Sequence, residues 1–333
     1  MAASSAWNAI GKTVAERSPW NPLVLVEVGL AVGLGTLLSC LPARLAYALG
    51  EGAGAFAYRW DRRHREIARE NLARAFPEKS PGEIEAMARA VFSNLGQTAV
   101  DVARSRRLLR PGGRDAVAFE GLERLVAARD RGRGVLLIAA HFGPWELLPL
   151  VAALFYGSIH VVARPLDNPR LDASLTALRE RGGNRVISKQ QALPAILKVL
   201  REGGTVGMLI DQHIREQDGV VVPFFGRPAS TVPAPALFAL RSGAAVLPAG
   251  ILREARRGRY RVRVGEEVAL TRSGDLKTDL VRNTARFTAA LEPMIRECPE
   301  AWFWVHRRWK TPLPLDPRLT GIAVREFGGS GVR

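Results

Sequence analysis

A histidine ends the apolar run GVLLIAA (residues 134–140), and a glutamate follows five positions later in HFGPWE (141–146). A strand that ends in His141 presents it at the carboxyl edge of a sheet, where open α/β sheets bind ligands. Gly143 permits a tight turn, and Pro144 suits the first position of a helix. Glu146 then falls in a first helical turn, where the helix dipole favours a carboxylate. On one continuous helix two residues five apart would point about 140° away from each other. A strand–turn–helix break lets them converge instead. The pair predicts a general base, His141, with Glu146 orienting the imidazole and stabilising its charged form. No serine or cysteine sits in a G-x-S-x-G elbow. Such a pair without a protein nucleophile suits direct attack by a hydroxyl of the substrate. The bland alternative is a capped helix beside a satisfied histidine.

Holding such a pair takes a sheet edge, and the hydropathy pattern supplies one. Apolar runs at 134–140, 158–163, 204–210 and 244–251 read as strands, with helices predicted between them at 145–155, 167–181, 190–201 and 233–242. RYRVRV (259–264) alternates like a strand with a basic face toward solvent, and 276–297 reads as a long amphipathic helix. Residues 51–115 carry helical spacings, broken by the turn cluster at 77–82. Strands alternating with helices predict an α/β fold with a mixed, mostly parallel sheet flanked by helices on both faces. The expected organisation is an N-terminal segment (1–50), a catalytic region (51–315, helical to 115 and α/β from 116) and a tail (316–333).

Composition narrows the partners. The chain has 333 residues, 47% hydrophobic, which excludes a disordered protein and allows a large core. Its net charge of +16, carried almost wholly by arginine, implies an anionic partner: nucleic acid, an acidic protein, a phosphorylated lipid or a membrane surface. Two cysteines, Cys40 and Cys298, give no disulfide framework or Cys-rich metal site and fit a reducing compartment. AWNAIGKT (6–13) approaches a phosphate-loop pattern but lacks the preceding strand and glycine-rich turn. Residues 22–41, PLVLVEVGLAVGLGTLLSCL, are long and apolar enough to match a hydrocarbon core of ~30 Å. The basic stretch 59–76 follows, placing that side in the cytoplasm. The expectation is a membrane-embedded or interfacial helix, with all that follows cytoplasmic. This apolar segment and the scattering of arginines argue against a nucleic-acid partner.

HFGPWE resembles the H-x4-D/E motif of glycerolipid and lipid A acyltransferases. ENLARAFPE (70–78), VVARPLDNPRLD (161–172), LIDQH (209–213), VVPFFGRPASTVPAPALFALRSGAAVLP (221–248) and AWFWVHRRWKTP (301–312) are similar, in the same order, to segments of the lipid A late acyltransferases. The resemblance implies a membrane-associated O-acyltransferase of the bacterial inner membrane, its catalytic domain facing the cytoplasm. The donor would be an acyl thioester, usually on acyl carrier protein, and the acceptor a hydroxyl of a phosphorylated glycolipid. No metal or bound cofactor is implied. The family roles make His141 the base and Glu146 its support. Substrate contacts would come from Arg164, Asn168, Asp211, Gln212 and the loop Phe224, Phe225, Gly226, Arg227. Arg164 or a backbone amide would steady the oxyanion. Trp302 to Trp309 is expected to pack and to touch the membrane surface. The strip Arg253, Arg256, Arg257, Arg259, Arg261, Arg263 is expected to dock an acidic carrier or the membrane. HFGPWE is equally similar to mannoside acyltransferases, so acyl-CoA-dependent acylation of a phosphatidylinositol mannoside or lysolipid is a second reading. A basic nucleic-acid- or membrane-binding protein without catalysis is the third.

Overall fold

The structure is a computed structural model that describes residues 18–188, 192–255, 257–310 and 314–319. The AWNAIGKT stretch, Arg256 and the tail from 320 onward lie outside the described residues.

Among the described residues four helices come first: α1 (Pro22–Cys40), α2 (Ala43–Trp60), α3 (Arg62–Ala75) and α4 (Pro81–Arg104). Their starts follow from local chemistry. The Asn21 side chain accepts from the Leu23 N–H, and Pro22 occupies a position whose N–H has no helical partner. Asp61 caps α3 through the His64 N–H. Ser80 and Glu83 form a reciprocal capping box at α4.

From Val117 strands and helices alternate: β1 (Val117–Glu120), α5 (Leu122–Asp130), β2 (Val135–Ala139), α6 (Leu148–Phe155), β3 (His160–Ala163), α7 (Pro169–Arg179), β4 (Arg185–Ser188), α8 (Ala192–Arg201) and β5 (Thr205–Leu209). A hairpin, β6 (Val220–Phe224) and β7 (Arg227–Thr231), leads to α9 (Ala234–Ser242), β8 (Ala245–Arg253), β9 (Tyr260–Val264) and α10 (Leu276–Glu297). Seven strands form one sheet in the order β1-β9-β8-β2-β5-β3-β4. Only the β8–β9 pair is antiparallel, so the sheet is mixed and mostly parallel as expected. The central strand β2 is buried at every position, as a strand covered on both faces must be. Leu136 and Ile138 pack in the main core with Ile196 of α8, Phe238 of α9 and Phe287 of α10. Val135 and Leu137 face the other way, toward Leu125 of α5.

Three expectations change. The short strands β1 and β4 and the β6–β7 hairpin were not anticipated; Pro223 and Pro228 pair across that ribbon, where a two-stranded edge tolerates missing donors. Trp302, Trp304 and Trp309 do not touch a surface: they are 1%, 0% and 8% exposed and pack against Phe76, Phe224 and Phe225. The arginine strip is largely consumed in ion pairs. Arg253 is bound to Asp101, Arg257 to Glu51, Arg261 to Glu120 and Glu254, and Arg263 to Glu120 and Glu297.

Candidate active site

β2 and β5 run parallel in register, with Ala139 beside Leu209. Side chains alternate along strands, so the residues two further on, His141 and Asp211, rise side by side on one face. The Asp211 carboxylate takes three hydrogen bonds there. His141 Nδ1 lies 2.8 Å from Oδ1, the His141 backbone N–H donates to Oδ2 at 2.8 Å, and Trp302 Nε1 donates to Oδ2 at 2.7 Å. Burial alone would raise the Asp211 pKa, but the His141 ring and these donors outweigh it and hold the carboxyl below its usual range. Burial likewise disfavours a charged His141 ring. The Asp211 carboxylate wins, helped by Glu146 and opposed by Arg179, and lifts the His141 pKa above its ordinary value. An ionised Asp211 accepts a hydrogen bond from the Nδ1–H. The lone pair is then on Nε2, which lies 3.3 Å from Gln212 Nε2.

The turn that aims His141 is pinned from a distant part of the chain. Gly143 has φ +58°, and a Cβ there would stand 2.1 Å from the Ile251 carbonyl oxygen. Its N–H donates to Ala301 O at 2.8 Å, and the Phe303 N–H donates to His141 O at 3.0 Å. Trp145 and Phe303 flank the imidazole at centroid distances of 5.3 and 6.0 Å.

Glu146 does not hold the imidazole as the sequence suggested. A 3₁₀ turn, Trp145–Leu147, comes before α6, so the helix starts later than Pro144. The Glu146 carboxylate instead meets Arg179 at the end of α7 in a paired fork, Nε to Oε2 at 2.8 Å and Nη2 to Oε1 at 2.7 Å. Trp145 Nε1 adds a donor at 3.2 Å. The two side chains are only 15% and 12% exposed. Arg179 carries no motif that marked it in advance, and Trp302, within the segment 301–312, was expected to pack and to touch a membrane surface, not to hold Asp211. Asp211 was singled out, but as a substrate contact.

Beside His141 a cavity of about 530 Å³ runs between the sheet and α6. Its walls are apolar: Leu137 and Ala139 of β2, Gly207 and Leu209 of β5, Pro149 and Ala152 of α6. Polar side chains join the lining: His141, Glu146, Arg164, Asp167, Arg179 and Gln212. Arg164 is exposed, its guanidinium 3.8 Å from Asp167. An apolar cleft with a few convergent polar groups is the usual form of a small-molecule site.

The remaining expected contacts sit elsewhere. Asn168 caps α7 by accepting from the Arg170 and Leu171 N–H groups, and donates to Glu27 of α1. Its neighbour Asp167, not Asn168, lines the cavity. Phe224 and Phe225 are buried at 0% and 5% exposure, and Gly226 makes the hairpin turn with φ +71°. Arg227 donates to Arg74 O at 2.7 Å. This loop reaches the site through packing, Phe224 against Trp302, which in turn holds Asp211. Ser230 and Thr231 lie within β7 and bind Arg308.

Residues 21–311 match the family model described as bacterial lipid A biosynthesis acyltransferase. The lipid A biosynthesis palmitoleoyltransferase of Escherichia coli (strain K12) is 29% identical over 84% of this chain and 90% of its own length. The lipid A biosynthesis lauroyltransferase of the same organism is 28% identical over 85% and 90%. A phosphatidylinositol mannoside acyltransferase of Mycobacterium tuberculosis is 27% identical over 55% and 60%. With the family model spanning most of its length, the chain belongs to the bacterial lipid A biosynthesis acyltransferases and is an O-acyltransferase.

Proposed function

We propose that this enzyme acylates a hydroxyl of a phosphorylated lipid A precursor, taking the fatty acyl chain from a carrier-protein thioester, with His141 as general base. The observation that carries this reading is the His141–Asp211 pair at a long apolar cavity. The acyl chain lies in the cavity with its thioester carbonyl at His141. The acceptor hydroxyl occupies the place beside Nε2. As its oxygen attacks the carbonyl carbon, Nε2 takes the proton. Asp211 holds the ring in the correct tautomer and stabilises the imidazolium. The oxyanion forms near the Gln212 amide. It then collapses, the C–S bond breaks, and the imidazolium returns its proton to the leaving sulfur. No protein nucleophile is consumed.

The Glu146–Arg179 fork keeps the cavity wall in place; its carboxylate favours the imidazolium and its guanidinium opposes it. Arg164 offers a planar fork for a phosphate of the acceptor. The net charge of +16 favours approach of anionic donors and acceptors. The apolar α1 attaches the enzyme to the inner membrane, with the catalytic region, 51–315, on the cytoplasmic side.

Mass spectrometry of lipid A from cells with and without the protein tests this reading, alongside purified enzyme supplied with acyl carrier protein or coenzyme A thioesters. Loss of one acyl chain from lipid A, and transfer from the carrier thioester, are expected. An unchanged lipid A together with an altered mannoside or glycerophospholipid would overturn the acceptor assignment.

A further inference from the structure

We infer that α1 lies in the plane of one membrane leaflet instead of crossing the bilayer, and that α2 extends the same membrane-facing surface. This rests on the membrane attachment proposed above. α1 has 19 residues and passes for a spanning helix by length and composition. Only Val24 and Leu38 are buried along it, about 21 Å apart at helical rise. Both ends are fastened to the same folded body. At the N-terminal end Asn168 donates to Glu27 Oε2 at 2.7 Å and to Val24 O at 3.3 Å. Arg170 donates to Pro19 O at 2.8 Å and covers the Trp20 ring at 4.6 Å. At the C-terminal end Arg104 donates to Leu38 O and Leu41 O at 2.7 Å each, Ser39 Oγ donates to Ala103 O at 2.7 Å, and Arg107 donates to Ser39 O at 3.2 Å.

A spanning α1 would place Asn168 and Arg170 across ~30 Å of hydrocarbon from Arg104 and Arg107. The protein between them would then have to enter the hydrocarbon, where polar and charged groups are costly. An in-plane helix has no such conflict. Its fastened side rests on the protein. Its outer side chains Leu23, Val26, Leu30, Leu34 and Leu37, 50% to 69% exposed, enter the acyl region.

α2 shows the same division. Its inner face is locked against α4: a Cβ on Gly54 would stand 2.2 Å from Phe92 O, and one on Gly96 only 1.9 Å from Gly50 O. Its outer face, Leu45, Ala48, Leu49, Gly52, Ala53 and Phe56, carries no charged side chain. Leu45, Leu49, Phe56 and Trp60 are 51% to 70% exposed. Exposed arginines stand only toward its tips and just beyond, Arg44, Arg59, Arg62 and Arg63. Apolar middles with arginine and tryptophan at the ends suit an anionic lipid surface. The N-terminal end of α1 adjoins Asn168, next to Asp167 of the cavity lining. A lipid-borne acyl chain can therefore approach the cavity from the leaflet.

The test is sidedness in sealed inner-membrane vesicles of known orientation carrying the full-length chain. In a Cys298→Ser background, one variant keeps the exposed Cys40 and another carries Ser18→Cys with Cys40→Ser. Each is treated with a membrane-impermeant maleimide before and after detergent. Both thiols are expected to react from the same face. A thiol at 18 reached only from the opposite face, or only after detergent, would overturn the in-plane placement while leaving membrane attachment standing. Quantitative release of the chain by a prior salt wash would defeat attachment and this placement together, and release as a dimer would assign the apolar faces to a second copy. Leu49→Glu with Phe56→Glu should weaken retention on salt-washed vesicles on the order of tenfold; unchanged retention removes α2 from the surface.

Discussion

Asp101 and Asp211 are both almost wholly buried, at 0% and 2% exposure, and both sit against a basic side chain and aromatic donors. Asp101 of α4 binds Arg253 through Nε at 2.8 Å and Nη2 at 2.6 Å, and accepts from Tyr260 OH at 2.8 Å and from Tyr47 OH. Burial and this carboxylate push both tyrosine pKa values up, so both hydroxyls keep their protons near neutral pH. The cluster ties α2 and α4 to β8 and β9. Asp211 binds a histidine whose other ring nitrogen lies toward a cavity. A buried carboxylate becomes chemically useful when its partner can still change protonation and still reach a substrate.

The sharpest way to break this comparison is to remove each centre. His141→Ala should lower turnover by about 10²–10⁴-fold with little change in melting temperature. Asp101→Asn should do the reverse. It leaves the nearly buried Arg253 uncompensated, costing about 3–5 kcal/mol of stability, while the folded fraction keeps its specific activity. Denaturant melts and single-turnover assays on both variants check this. A stable, inactive Asp101→Asn protein would merge the two regions into one site.

Glu146→Gln comes next. Leaving Arg179 poorly paired should destabilise by about 3 kcal/mol, and turnover should fall less than for His141→Ala. Combining it with Arg179→Met should restore much of the stability, read by thermal melts. If instead Glu146→Gln matches His141→Ala in turnover at full stability, Glu146 acts directly on the proton.

That distinction shows how far the sequence could be read. The apolar strand ending in His141, the α/β alternation and the apolar α1 are local patterns, visible within one window of the chain. Glu146 was read as the partner of His141 because it is five residues away. Asp211 is seventy residues away, and its place beside His141 follows from the β2–β5 register, which no local pattern encodes. Arg179, Trp302 and the pinning of Gly143 by Ala301 are likewise contacts between distant segments. The β6–β7 ribbon was missed because prolines in both strands mimic a loop.

Gly207→Leu probes the cavity floor. Its side chain would project into the space beside Ile159. The preferred acyl chain should shorten, with discrimination against the longest natural chain rising by about 10–200-fold. Unaltered chain selectivity would detach the cavity from the acyl chain. Arg164→Lys should have the smallest effect. Losing a paired fork should raise KM for the phosphorylated acceptor on the order of tenfold, with kcat nearly unchanged. A kcat effect alone would move Arg164 from acceptor binding to the oxyanion.

The pH dependence of kcat/KM, in the native chain and in Asp211→Asn, tests the central claim most directly. The base must be neutral to accept a proton, so activity rises as pH passes through the His141 pKa, which Asp211 holds above the ordinary histidine value. Asparagine removes the carboxylate that outweighs burial, and burial then pulls the His141 pKa down. The account predicts an acid limb shifted to lower pH in Asp211→Asn, with a plateau lowered by loss of the correct tautomer. An acid limb at the same pH in both proteins would contradict it.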